Sequence, residues 1–458
     1  MPRLAAQAVD RVRALPERHG RTTVAVLLLI LAVGFGLRIE RVINPNAHPG
    51  DDALAYTALA KSLYEEGSYG GEHFDNSSDW SPGAPLAYAG LYYLTGGARD
   101  GAARLLQALA GTAAILVVFL LGARIACRPA GLLAAAGVAV YPPFIHSTGA
   151  VLSEPLAILT FPAAILALLW AADGRGAWRW LIPGLLLGIT AMIRPEYLVV
   201  GFLLAATVLI FRWRRQGLRS GAVAAAVLLV AIALPIVPWT VRNLVVLDRF
   251  VPISTGGGKA LYVGTYLSAD GDYQRVKAAL LERFRGRTLA PDSEALDEVD
   301  PEPLFDRVAA RYPDLPRDEA LGKIGRHQLS DDLGDHTVDY AAMTARKVWR
   351  MWSSGVGKAM ESTPGRAVQV IVVVLGLAGL AVLLARRRYF EAVVFTVPIA
   401  TVTAVGAVSL ASNRRSEVLM TLVFPLAAAA LTRGAALCRQ RFGRDGAGAR
   451  PSHSGAQA

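Results

Sequence analysis

Cysteine is nearly absent from this chain: Cys127 and Cys438 are the only two among 458 residues. Each stands in an arginine-rich break, with no second ligand at metal spacing, so the sequence offers no zinc-type motif, no disulfide framework and no redox chemistry. No internal repeat is evident, which removes one signature of transporters built from paired halves. The first apolar run, residues 22–37, is followed by no small-residue cleavage site and reads as a retained helix, not a signal peptide.

Hydrocarbon fills the space. Hydrophobic residues make up 53% of the chain and the mean hydropathy is +0.39. Spanning a bilayer takes about 20 apolar residues in a helix, fewer when helices are short and packed together. Runs at 22–37, 101–123, 129–147, 154–172, 180–193, 196–211, 220–241, 366–385, 390–411 and 417–432 predict an all-α integral membrane protein with about ten transmembrane helices. The net charge of +11 would otherwise point to nucleic acid. The arginines lie in the breaks between apolar runs, however, where they set orientation. The lipid bilayer is therefore the expected partner, with no nucleic acid, and the expected place a multi-pass position in the cell membrane.

Arg3, Arg11, Arg13, Arg18 and Arg21 assign the amino terminus to the cytoplasm. Alternating crossings then keep Arg124 with Arg128, Arg175 with Arg179, the 212–219 cluster, 386–388 and the tail inside, so both termini are cytoplasmic. A first outer loop covers 38–100. Within it, 81–97 carries Pro82, Gly83 and Pro85, and counting it as a span would export most later arginine clusters. It and 53–64 read as interfacial helices along the outer surface. Pro195 divides 180–211 into two short crossings.

After an N-terminal module at 1–243, the composition turns polar over 244–365. Gly256, Gly257 and Gly258 signal a flexible turn. Residues 270–339 are rich in Asp, Glu, Arg and Pro, with Leu280, Leu281, Leu304, Phe305 and Val308 as apolar anchors. A small, mainly helical extracytoplasmic insertion is expected there, without a catalytic motif of its own. Three C-terminal helices within 366–437 follow. The tail, 438–458, is expected to be disordered, its end being polar and rich in Gly, Ser and Ala.

This threading leaves ionisable residues at outer helix ends. Asp51 and Asp52 come just after the first span, where carboxylates are costly unless they serve chemistry. Glu154, Arg194 with Glu196, Arg242, and Arg414 with Arg415 fall at the same face. Arginine there opposes the orientation rule and suits an anion at the outer leaflet, because the guanidinium fork matches phosphate oxygens. Each residue also has a plainer reading. The arginines snorkel to headgroups, Arg194 and Glu196 pair structurally, Glu154 starts a helix, and Asp51 and Asp52 cap one. Against these stands the gathering of so many charges on one face from separate segments. His48, His73 and His146 share the face but lack metal-ligand spacing, and no role is assigned to them.

At these residues the chain resembles the GT-C superfamily of polyprenyl-phosphate-sugar glycosyltransferases, in the branch of protein O-mannosyltransferases and aminoarabinose transferase. The matching features are Asp51 and Asp52 after the first helix, Tyr56 in the helix that follows, and the stretch from Ser81 to Leu86. Ser153 to Pro155, Ile193 to Glu196, and Phe250 to Ser254 complete them. The likeness is good over roughly the first 265 residues and loose over the last three helices. Asp51-Asp52 stands where the family often has Asp-Glu. The polar domain, which commonly follows the last helix, here lies between the seventh and eighth.

The resemblance implies a sugar donor linked through phosphate to a polyprenol, and an extracytoplasmic acceptor that is a protein, a lipid or a cell-wall glycan. It implies Asp51 as general base, with Asp52 orienting the acceptor or sharing that role, and Tyr56, Glu154 and Glu196 as substrate-binding residues. Relatives using monophosphate donors mostly work without metal. No cofactor is indicated, and no metal cage is visible. A positioned carboxylate contributes about 10²- to 10⁴-fold to attack by an alcohol. Fixed cations stabilise the departing phosphate most in the transition state. Arg194 and Arg242 rank first for that role, ahead of Arg414 and Arg415. A single displacement inverts the anomeric centre. The rival reading is a transporter or flippase of lipid-linked sugars; charges collected at one face, without a repeat, favour the enzyme.

Overall fold

The apolar runs become helices almost without exception. The computed structural model describes residues 17–47, 50–70 and 77–447, and among these there is no strand. His48, His73, Arg3, Arg11 and Arg13 lie outside the described residues. In chain order the helices are α1 (Glu17–Ile43), α2 (Asp51–Glu65), α3 (Gly83–Thr95), α4 (Asp100–Ile125), α5 (Arg128–Val140) and α6 (Pro142–His146). Then come α7 (Glu154–Ala172), α8 (Leu181–Ile193), α9 (Glu196–Gln216) and α10 (Leu218–Leu247). The insertion holds α11 (Gly257–Gly264), α12 (Tyr273–Arg285), α13 (Glu294–Asp297), α14 (Glu302–Ala309), α15 (Arg317–Asp335), α16 (Thr337–Ser353) and α17 (Lys358–Glu361). The chain closes with α18 (Thr363–Ala385), α19 (Tyr389–Val408) and α20 (Asn413–Ala447).

Among the described residues, α1, α4, α7, α9, α10, α18, α19 and α20 are each long and apolar enough to cross a membrane. The other two expected crossings are present in altered form. α5 and α6 make a pair bent by 52°, and α8 is a short apolar helix behind a 3₁₀ turn at Ala177–Trp180. The protein is thus a multi-pass helical membrane protein.

The bend has a chemical cause and a remedy. Pro142 and Pro143 lack the N–H groups that the carbonyls of Val138 and Ala139 would meet four residues on. Arg38, fully buried in α1, donates to both carbonyls at 3.2 Å and to Gly34 O at 2.9 Å. An arginine therefore satisfies backbone groups that have no water to turn to.

Small residues let the helices approach closely. A Cβ on Gly379 of α18 would lie 1.9 Å from the Leu426 carbonyl oxygen of α20, and one on Gly188 of α8 would lie 2.4 Å from Ile232 O of α10. The two ends of the bundle differ in charge. Where α4 and α7 stop, Arg124 pairs with Asp173 at 2.8 Å, Arg388 donates to Ile125 O, and Arg212 donates to Gly174 O. The other end, roughly 28 Å away at 1.5 Å per residue of α7, is where α2, α7, α9 and α20 begin.

The insertion has its own apolar core, built from Tyr262, Val276, Leu280, Leu281, Leu304, Phe305 and Leu321 among others. The tail departs from expectation. α20 runs on to Ala447, so 438–447 is helical and not disordered, the segment continuing an established span.

Candidate active site

Four helices bring a carboxylate to one end of the bundle: Asp52, Glu154 and Glu196 stand in the first turns of α2, α7 and α9, and Glu417 lies just past the first turn of α20. A helix N-terminus favours negative charge, so acids there are locally stabilised. Three of them are joined by guanidiniums into one chain. Arg414 pairs with Asp52 on one side and with Glu154 at 2.6 Å on the other. Arg194 meets the same Glu154 oxygen at 3.2 Å and Glu196 at 3.0 Å. The order Asp52–Arg414–Glu154–Arg194–Glu196 alternates in charge throughout. Glu154, only 1% exposed, is its centre and is tolerable there because two cations share it.

Arg415 stands beside this chain, near enough to Glu196 for their charges to act on each other. It donates to Ser409 Oγ at 3.0 Å and has no carboxylate at ion-pair distance among the described residues. Tyr56 is buried close to Asp52, Glu154 and Ser153. Its ring meets Trp80 edge-on at 5.4 Å. An aromatic wall continues from there, since Tyr69 Oη donates to Trp80 O at 3.0 Å and the Tyr69 ring meets Trp239 at 4.8 Å.

Arg242 ends that wall. It lies over Trp239 and Tyr69 and donates to Tyr69 O at 3.2 Å and to Asn243 Oδ1 at 3.1 Å. The structure therefore does not bring Arg242 into the ion chain. Among the described residues Arg242, like Arg415, has no carboxylate at ion-pair distance.

Asp51 is exposed and makes no hydrogen bond or ion pair among the described residues. The insertion stands over it. Partial burial pushes its carboxyl above the usual range, Lys277 opposes that rise, and Asp52 and Asp300 add to it. Lys277 is 1% exposed, and burial lowers its own pKa.

The loop that carries these groups is tied to the insertion. Thr255 N donates to Ser78 O at 2.8 Å, and Arg317 bridges Asp79, at 2.9 Å, to Glu302. Lys259 pairs with Glu302 at 2.6 Å, while Asp318 accepts from the backbone N–H groups of Gly258 and Lys259. On the bundle side, buried Lys347 donates to Gly264 O at 2.7 Å and to Ala407 O at 2.9 Å.

Sequence reasoning picked out the residues of the ion chain and missed several others. Glu417, 2% exposed with one carboxyl oxygen lacking a hydrogen-bond partner, was visible only as part of the Arg414–Arg415 segment. Trp80, Asp79, Arg317 and Lys277 gave no local signal, because their importance comes from contacts distant in sequence.

Residues 79–239 match the family model of dolichyl-phosphate-mannose-protein mannosyltransferases. The apo oligosaccharyltransferase of Archaeoglobus fulgidus aligns with a TM-score of 0.56 at 15% identity, covering 94% of this chain and 53% of that one. The same organism's AglB, in complex with an inhibitory peptide and a dolichol-phosphate, gives 0.52 at 14%, covering 94% and 52%. ArnT from Cupriavidus metallidurans bound to undecaprenyl phosphate aligns at 16% identity over 92% of this chain and 79% of its own, with a TM-score of 0.38 that carries no argument. No curated protein matches. The chain shares the fold of these archaeal enzymes, and it spans about half their length.

Proposed function

We propose that the protein is an inverting glycosyltransferase that moves one sugar from a polyprenyl-phosphate donor to an extracytoplasmic acceptor. The observation that carries this reading is the ion chain from Asp52 to Glu196, with two further guanidiniums at the same end of the bundle, Arg415 and Arg242, that make no ion pair among the described residues. The opposite bundle end holds the arginine-rich breaks, which supports an outward-facing site and cytoplasmic termini.

Asp51 is the base in this reading. It is unpaired and open to an incoming hydroxyl, whereas Asp52 is committed to Arg414. The acceptor oxygen attacks the anomeric carbon as its proton passes to Asp51. The bond from that carbon to the phosphate oxygen breaks with its electron pair, and the configuration inverts. Arg242 and Arg415 receive the phosphate charge, since free guanidiniums stabilise an anion better than those already shared. Arg194 and Arg414 hold the scaffold with Glu154 and Glu196, and Tyr56 lines the acceptor side. Guanidinium charge serves the leaving group, so the proposed reaction runs without divalent metal.

Transfer from polyprenyl-phosphate sugars by detergent-purified protein tests this. Asp51→Asn is expected to lower turnover by about 10²- to 10⁴-fold, and Arg242→Ala and Arg415→Ala to raise the donor KM. Activity should persist in chelator. Parental turnover in a double Asp51→Asn, Asp52→Asn variant would remove the base assignment.

A further inference from the structure

The insertion contains a cleft of about 920 Å³ between α11, α12, α14 and α15. That is at the upper end of small-molecule sites and larger than one sugar ring requires. It is separate from the ion chain. Tyr262 in its wall meets Phe305 edge-on at 6.2 Å, and Phe305 stacks on Tyr273 at 6.2 Å. The charges of Asp51 and Asp52 reach Tyr273. A layer of insertion core thus lies between cleft and carboxylates.

Three guanidiniums border the cleft, those of Arg283, Arg307 and Arg311. Among the described residues none has a carboxylate at ion-pair distance. Two of them are set by one ring: Arg283 lies 5.4 Å and Arg307 5.9 Å from the Phe284 centroid, and Arg307 also donates to Phe284 O at 2.9 Å. Tyr266 and Tyr312 add further rings, and Asp331 and Asp332 add acceptors.

Aromatic rings with a polar edge suit the C–H faces of sugars while leaving hydrogen bonds for their hydroxyls. Guanidiniums without a paired carboxylate call for carboxylate or phosphate oxygens. A bilayer headgroup surface would need an open basic face, whereas this site is concave and carries a carboxylate inside.

We propose that the insertion cleft is a binding site for an acidic oligosaccharide, one bearing uronate or phosphate groups. If the transfer reading above holds, this is where an acidic glycan acceptor is gripped away from the reacting centre; the binding itself rests on the insertion alone.

The experiment is calorimetric titration of the full chain in detergent with trigalacturonic acid and, in parallel, with neutral maltotriose. The acidic trisaccharide is expected to bind, and the neutral one to bind at least about tenfold more weakly. Arg283→Ala with Arg311→Ala should weaken trigalacturonate by about tenfold or more, the loss of a charge-assisted hydrogen bond. Tyr312→Ala should weaken both sugars, and circular dichroism should show parental helix content in each variant. Asp51→Asn should bind as the parent does, which separates this site's failure from that of the transfer reading. Equal affinity for the two sugars, no affinity for either, or unchanged binding in the double arginine variant would overturn the proposal. So would an arginine-dependent preference for phosphatidylglycerol vesicles over the trisaccharide.

Discussion

Glu154 and Arg414 meet at 2.6 Å although 260 positions separate them in the chain. The contact joins the start of α7 to the start of α20, and through it the N-terminal and C-terminal halves of the bundle share one buried charge. Arg194 completes the arrangement from a third segment.

Removing that carboxylate should therefore cost stability before it costs chemistry. Glu154→Ala leaves two guanidiniums facing each other in a site excluded from water, and breaking a buried pair costs about 3–5 kcal/mol. Thermal unfolding in detergent should show a marked fall, and Arg194→Ala should show a comparable one. An unchanged midpoint for Glu154→Ala would mean that the ion chain holds nothing together.

Arg38→Met should destabilise the protein for a different reason. The substitution keeps an apolar stem but abandons the carbonyls of Val138 and Ala139, which the two prolines already deprive of backbone partners. Each unsatisfied buried carbonyl costs about 1–3 kcal/mol. Hydrogen exchange in the α5–α6 segment should accelerate in the variant, and parental protection there would refute the capping role.

Asp51 gives a pH prediction. In its proposed role as base Asp51 must be ionised, so turnover should rise with pH, and because burial raises the carboxyl's pKa the midpoint of that acid limb should lie above the ordinary aspartate value. Lys277 opposes the rise, so Lys277→Met should move the limb to still higher pH. The profile of kcat/KM against pH reads both effects, and a limb that shifts downward in the variant would contradict the arrangement.

Asp318 tests the insertion's attachment. Its pKa is pushed up to about 6, chiefly by burial, against about 3.9 unfolded. The folded state then holds a proton that the unfolded state releases, so this group favours folding most below pH ~4 and its contribution declines as pH rises toward 6. Asp318→Asn keeps an acceptor for the Gly258 and Lys259 N–H groups and should flatten that part of the stability profile. Thermal midpoints measured across the interval, variant against parent, decide it.

The fold was largely legible because membrane spans announce themselves by length and apolarity, and eight of the ten expected runs are full crossing helices. The other two, the bent α5–α6 pair and the short α8, carry prolines that the sequence displays. The charged residues of the site were legible as a set, because cations at the wrong end of a helix conflict with the orientation rule. Their pairing was not. Nothing local distinguishes Arg194, held by two acids, from Arg242, held by none, and the ranking drawn from sequence put them together. Arg38 was invisible for a similar reason: its partners are carbonyls a hundred positions away. The helical stretch up to Ala447 was misread because its glycine content outweighed its helix formers.

The bridge from Asp79 through Arg317 to Glu302 means that the reacting loop and the insertion cannot be traded as independent cassettes. A chimera that replaces the insertion with an unrelated segment would inherit a loop deprived of its anchor. Any exchange of the insertion must therefore carry residues 77–80 along with the transplanted portion.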